Sequence, residues 1–392
     1  MGGPPAIAWL AAALALLASS SGAGAARPEG GSSGGPIHIG MVAALTGQFE
    51  AVGAGQLLGA QAAVKEVNRT GGVNGRMLAL DLRDDGSSPV QGVIATQGFT
   101  ADPDVVAMIG SGAGGSALAS APFATEARLP YVRMIPLSAL AYPPRPYVFV
   151  TPPSSRLSAY ALGSYLRRHG LKRIALLHDD SAFAAEGVKY VKELASRYGL
   201  LTVFDEIFSL PKTNFTDQLA RVHDSDAQVL WVWDVAAAVA ITKQYRQLGL
   251  SQKLVLSQGN ATPLYLGPAC PEANGAVLTS GLGAVAKYLP DSNPAKRVAL
   301  KVVRLLGGDA NEFSFNGYTG ILLLAKDMRQ GGASREGINR ALEHMKLVGP
   351  EGVYHYSRVD HAGLPVSSTV VAQIKNCRLV PVPGQDLSGR PR

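Results

Sequence analysis

Two clusters of ionisable residues and one run of small residues have types and spacings that chemistry could use. Asp84 and Asp85 follow an apolar stretch and could ligate a cation or work as paired carboxylates. The glycine-spaced ligands of a calcium loop do not follow them, so the expected reading is a solvated turn. His178-Asp179-Asp180 could serve as a base with its orienting acid. The chain has no GxSxG elbow to present a nucleophile, and His178 is expected instead as a strand-end residue near a cleft mouth. His38, His169, His223, His344, His355 and His361 are scattered singly, and their spacing builds no metal site. No catalytic group, metal or cofactor is therefore expected. The third run, Gly110-Ser111-Gly112-Ala113-Gly114-Gly115-Ser116, would let backbone N–H groups approach an anion or a carboxylate. It lacks both the distant acidic residue of a GxGxxG dinucleotide loop and the lysine of a phosphate loop, which argues against nucleotide binding. A tight loop that only lets helix and sheet pack is the alternative.

These residues need elements to position them. Ile37 to Leu45 alternates and then runs apolar, as a strand does. Thr46 and Gly47 break it, and from Gln56 the apolar positions Leu57, Leu58, Ala60, Ala63, Val64 and Val67 follow a helical period. Strand, glycine-rich loop and helix open an α/β domain, and Thr46 to Gly55 is expected as a cleft loop beyond the strand's carboxyl end. The same unit recurs, with strands at Met77–Leu82, Asp104–Ile109 and Tyr131–Ile135, then at Arg173–His178, Leu201–Ile207 and Ala227–Trp233. A repeated α/β pattern argues for two similar lobes. Helices at 295–306, 316–329 and 335–345 are expected to complete the first lobe, with a final crossing at Gly349-Pro350-Glu351-Gly352. Trp231 and Trp233 share a strand face. Trp231 is expected in the core, and Trp233, before Asp234, could line the cleft. Tyr142 is similar, and Phe313 to Tyr318 could close the cleft from behind or simply pack.

Of 392 residues, 47% are hydrophobic, and the formal net charge is +7. No dense Lys/Arg block accompanies that charge and no aromatics interleave with basic clusters, which argues against a nucleic-acid footprint. Ala6 to Ala18 is an apolar run shorter than the roughly 20 residues a bilayer requires. Ala23-Gly24-Ala25 follows as a cleavage signal. Residues 1–26 read as a secretory signal peptide and 27–36 as a flexible leader, so no stable membrane insertion of the mature chain is expected. An oxidising compartment would permit Cys270 and Cys377 to pair, but their spacing does not decide it.

IGMVAALTGQFEAVGAGQLLGAQAAVKEVNRTGGVNGRML resembles the opening of the periplasmic leucine/isoleucine/valine-type substrate-binding proteins of ABC importers. IGSGAGGSALASAPFATEARLPYV, IALLHDDSAFAAEGVKYVKEL, FNGYTGILLLAKDMRQGG and the terminal GPEGVYHYSRVDHAGLPVSSTVVAQIKNCRLVPV extend the likeness in order over nearly everything after residue 36. The resemblance implies a two-lobed type I periplasmic-binding-protein fold of class α/β. Each lobe would be a mainly parallel sheet flanked by helices, with a hinge of three crossings. Lobe 1 is expected over 37–150 with 282–350, lobe 2 over 151–281 with 351–381, and a C-terminal tail over 382–392.

The resemblance also implies a ligand set, and this sequence departs from it. The family's loop serine corresponds to Gly114, with Gly115 and Ser116 beside it. Its ammonium-holding carbonyl and threonine correspond to Ser138 and Leu140, and leucine cannot accept that hydrogen bond. The first-loop aromatic is about Val52, the second-lobe aromatic survives as Phe183, and an acidic position falls at Gln258 or Gly259. The aspartate of the late helix is Thr319. An α-amino acid needs partners for both its charges. The carboxylate half could survive on Gly114–Ser116 amides, whereas the ammonium half looks dismantled unless Asp234 supplies the counter-charge. The expected function is capture of a small carboxylate-bearing or aromatic compound in the periplasm, by a protein that need only be a monomer, for delivery to an inner-membrane ABC permease and its ATPases. A ligand-sensing receptor acting through a separate signalling partner is the alternative, and an enzyme is not expected.

Overall fold

The computed structural model describes residues 34–308 and 310–389, so the expected signal peptide and most of the leader lie outside the described residues. The chain opens with β1 (Ile37–Ala43), α1 (Glu50–Arg69), β2 (Leu78–Asp84), α2 (Pro89–Thr100), β3 (Val105–Gly110), α3 (Gly114–Glu126), β4 (Tyr131–Arg133) and β5 (Val148–Val150). The strands form a parallel sheet in the order β2-β1-β3-β4-β5. After Thr151–Ser154 come α4 (Ser155–Arg168), β6 (Arg173–Asp179), α5 (Ala182–Tyr198), β7 (Leu201–Phe208), α6 (Thr216–Asp224), β8 (Val229–Trp233), α7 (Ala238–Gln247), β9 (Lys253–Leu256), α8 (Pro263–Ala269) and β10 (Val277–Gly281). Their sheet runs β7-β6-β8-β9-β10 and gains an antiparallel edge from β13 (Thr369–Lys375) and β14 (Arg378–Pro381). The strand order of the first lobe is thus repeated in the second. Each sheet has its switch point beside its first strand, where ligands of open α/β sheets sit.

Between these blocks lie α9 (Pro294–Leu305), α10 (Glu312–Gly331), α11 (Arg335–Leu342) and a hairpin of β11 (Lys346–Gly349) and β12 (Gly352–His355). One face of the first sheet buries Ile39, Met41, Ile109 and Val132 against α1 and α10, together with Tyr318, Ile321 and Leu324. The opposite face buries Val42, Met108 and Tyr131 against α2 and α3.

Three boundaries move from their expected places. Helix α1 starts at Glu50 rather than Gln56, so the cleft loop is shorter than Thr46–Gly55. The glycines that suggested a loop serve packing instead. A Cβ on Gly53 would lie 2.0 Å from the Ala44 carbonyl oxygen, so only glycine lets the helix start rest on the strand end. The chain returns to the first lobe at about residues 289–294, not 282, because Leu282, Val285 and Leu289 pack with the second sheet's core. The last crossing falls at about 364–368 rather than 349–352. Tyr354, Tyr356 and Leu364 belong to the first sheet's core, and the 350–351 turn is the tip of the unanticipated β11–β12 hairpin. The segment after β14 is tied down as well: Gln385 bonds the backbone of Val371 on the sheet edge.

Cys270 follows α8 and Cys377 sits in the β13–β14 turn, both as free thiols. Their loops are pinned together by Gly275 N–H to Ile374 O (2.9 Å) and Cys377 N–H to Asn274 Oδ1 (3.0 Å). Burial, with the neighbouring Cys377 thiol, pushes Cys270 up to about 12. Oxidised glutathione is expected to join the two sulfurs by exchange. Closing so long a loop should stabilise the fold by about 4 kcal/mol. Thiol titration before and after treatment, with a denaturation curve for each form, checks this; two titratable thiols persisting in the treated, then unfolded, protein would refute it.

Candidate ligand-binding site

The loops at both switch points face one cavity of about 250 Å³. From the first lobe come Gln48, Phe49 and Val52 after β1, Ser87 and Pro89 after β2, Gly112, Gly114 and Gly115 after β3, and Met134, Ile135 and Pro136 after β4. Glu312, Phe313 and Asn316 project from the start of α10. The second lobe contributes Asp180, Ser181, Ala182 and Phe183 after β6, Val235 after β8, and Gln258 and Gly259 after β9. The wall is largely apolar, with no Lys or Arg among its described residues. A hollow of about 200 Å³ adjoins it, also lined by Phe49, Val52 and Val235.

Within this wall, two helix N-termini meet. Gly114 opens α3 and Ala182 opens α5. A Cβ on Gly114 would lie 3.4 Å from the Ala182 Cβ and 3.6 Å from the Phe183 amide nitrogen. The α3 N-cap is Ala113, which has no capping side chain, so the amides of Gly114, Gly115 and Ser116 lack an acceptor among the described residues. In α5 the cap Ser181 takes only the Ala184 amide, which leaves those of Ala182 and Phe183. Free amides at two facing, positively polarised helix ends have the donor geometry of a candidate anion cradle shared between the lobes.

Two carboxylates, Asp85 buried and Asp84 exposed, hold the cradle's loops. Asp85 is fully buried; its Oδ2 accepts the Ser111 hydroxyl at 2.5 Å and its Oδ1 the Ser87 amide, while Ser111 Oγ accepts the Ala113 amide. Asp84 gathers the amides of Leu45 and Gly86 and the Thr46 hydroxyl. Burial works against its ionisation, yet those hydrogen bonds hold its pKa below the ordinary value. The expected solvated turn holds for Asp84, which is exposed, while Asp85 is an interior joint between loops.

Of the residues expected at the site, Val52, Gly114, Gly115, Phe183 and Gln258 line the cavity. The side-chain amide of Gln258 is buried, with neither end hydrogen-bonded among the described residues. The other five stand behind the wall. Ser116 bonds the Ser88 carbonyl. Ser138 and Leu140 are buried in a turn whose amides at Ser138 and Ala139 donate to Glu186 of α5 at 2.7 and 3.0 Å. That bond joins the two lobes in the place where an ammonium partner was sought. Trp233 is fully buried beneath Phe183, with ring centroids 6.0 Å apart. Asp234 is fully buried and its Oδ1 accepts the Ala237 amide. Burial, then its contact with Asp179, raises its pKa well above the usual carboxylate range, and its carboxyl is not among the groups lining the cavity. His178 faces Asp205 on the neighbouring strand, away from the cavity. Sequence reasoning missed Glu312, and it did not single out Phe49 or Asn316 within the expected stretches Thr46–Gly55 and Phe313–Tyr318. An isolated acid at the start of the charge-free run Phe313–Ala325 was the available signal for Glu312.

Comparison with known proteins agrees with this architecture. Residues 36–378 match the periplasmic binding protein family. A Leu/Ile/Val-binding protein homolog 3 from Brucella melitensis is 22% identical, over 76% of this chain and 80% of that protein. An extracellular ligand-binding receptor from Rhodopseudomonas palustris HaA2 superposes with a TM-score of 0.83 at 20% identity, covering 89% of this chain and all of the other. A solute-binding protein of an R. palustris ABC transporter, solved with benzoate, gives 0.77 at 19% identity, over 89% and 96% of the two chains. At such identities the structural likeness speaks for the fold. With two α/β lobes crossed three times and a shared cavity at both switch points, the chain belongs to the periplasmic binding protein family.

Proposed function

We propose that this protein captures a small carboxylate-bearing organic compound, aromatic rather than a branched-chain amino acid, and delivers it to an ABC importer. The observation that carries the reading is the cradle of free amides at the ends of α3 and α5, set in an apolar wall. A carboxylate there bonds both lobes at once, and Phe49, Phe183 and Phe313 supply surfaces for a flat apolar body. The α-ammonium of leucine finds no partner at Ser138, Leu140 or Asp234, and burying it unpaired is costly.

Function then follows from differential closure. A ligand that touches both lobes stabilises the arrangement in which they meet, and the permease and its ATPases act on that state. Such a role needs no catalytic group and is compatible with a monomer in the periplasm. Among the described residues no helix is long and apolar enough to cross a membrane.

A thermal-shift screen of the chain from about Arg27 tests the reading, since a ligand of the native state raises apparent stability by mass action. Aromatic acids at a hundredfold excess over Kd should stabilise by about 2.7 kcal/mol, with leucine and valine inert. A leucine response without an aromatic-acid response would overturn the ligand class.

A further inference from the structure

One buried carboxyl group on the cavity wall, and a second buried behind that wall, have no role in the proposed function. Glu312 opens α10 and lines the wall, yet it is only 4% exposed, and its Oε2 has no hydrogen-bond partner among the described residues. Behind it, at the tip of the β11–β12 hairpin, Glu351 is fully buried with neither oxygen hydrogen-bonded. The Glu351 carboxyl lies against the end of β10, where a Cβ on Gly281 would fall 1.6 Å from its Oε2. An acid in a first helical turn is ordinarily placed there by the helix dipole and left in water. Three carboxyl oxygens taken out of water without donors, one on Glu312 and two on Glu351, call for a partner that arrives from outside.

The cavity is the route of arrival. Glu312 and Asp180 are the only ionisable side chains on its described wall, and both are acidic. Asn316, one helical turn beyond Glu312, also turns to the cavity with an unpartnered Oδ1. Asp180 directly precedes the Ser181 cap beside the cradle, whereas Glu312 and Asn316 lie at the other end: α3 packs on one face of the first sheet, and α10 on the other.

We propose that the ligand has a second pole, a basic nitrogen remote from its carboxylate, received by Glu312 with Glu351 behind it and Asn316 beside it. This rests on the carboxylate reading of the cradle and narrows it to compounds with the two groups at opposite ends of a short spacer. An α-amino acid, whose charges sit on neighbouring atoms, cannot serve both sites.

Isothermal titration calorimetry of the full mature chain with benzoate, 4-(aminomethyl)benzoate, hexanoate, 6-aminohexanoate and benzylamine separates the outcomes. The expected result is at least tenfold tighter binding of each amino acid than of its amine-free partner. That gain, taken as the ratio of amino-acid to amine-free affinity within the same variant, should vanish in Glu312→Gln. Glu351→Gln, a second variant in case the first folds poorly, should reduce the gain. Benzoate binding as tightly as its aminomethyl analogue would overturn the basic pole and leave the carboxylate reading standing. Benzylamine binding as tightly as 4-(aminomethyl)benzoate, with loss in Glu312→Gln, would uphold the basic pole and overturn the cradle. Binding of none of the five would overturn both.

Discussion

The unfolding free energy of the ligand-free protein is expected to fall by several kcal/mol between pH 5 and pH 8. Glu351 and Asp327 are fully buried, their carboxyl oxygens have no hydrogen-bond partners among the described residues, and burial pushes each up to about 8. Burial likewise raises Glu312, with Glu351 adding repulsion. In the unfolded chain these groups titrate near 4. A carboxyl whose pKa is raised by folding contributes its full stability below the unfolded value and loses it as pH climbs through the folded one. In the interval the native state binds more protons, so stability declines by up to about 1.4 kcal/mol per pH unit for each such group. Urea denaturation at pH 5, 6.5 and 8 measures the slope. Glu351→Gln should flatten it and gain on the order of 2 kcal/mol at pH 8, because it replaces a desolvated acid by a neutral isostere. A wild-type curve that is flat or rising across this range would dispose of the expectation.

Those same groups mark where the sequence stops being legible. Periodicity sufficed for most helices because one face of each is apolar, as along α5, and central strands such as β6 showed as continuous apolar runs buried on both faces. The position of the loop after β3 was readable too: its glycines fall between strand and helix, and Gly112, Gly114 and Gly115 line the cavity. Charge was misleading. Asp85, Glu312 and Glu351 look solvated by type, and only the tertiary contacts of Ser111 and Gly281 reveal them as interior. Glycine misled in the opposite sense, since Gly53 marks close contact between α1 and Ala44 rather than a loop. The fate of Ser138 and Leu140 depended on Glu186, a residue of the other lobe. No local pattern carries that pairing. Hairpin β11–β12 escaped for a related reason: β11 is largely exposed, and no alternation announces it.

Trp233 behaves as a second layer beneath the ligand, and substitution there should show two separable effects. The residue is fully buried, stacked on Trp231 with a 6.0 Å centroid separation and lying under Phe183 at the same distance. Trp233→Ala is expected to cost about 3–5 kcal/mol, since the rigid strands on either side cannot collapse into the space. Trp231→Ala, two residues earlier on the same face, should cost a similar amount. The difference lies in binding. Only Trp233 supports Phe183, so its loss should let that ring sink and weaken an aromatic ligand by about tenfold, while Trp231→Ala leaves affinity unchanged. Neither indole N–H has an acceptor among the described residues, so Trp233→Phe forfeits no hydrogen bond and should recover most of the affinity and part of the stability. Calorimetric affinities measured below each variant's melting temperature decide the matter. If both alanine variants bind alike, Phe183 is held by α5 alone and Trp233 is core in the ordinary sense.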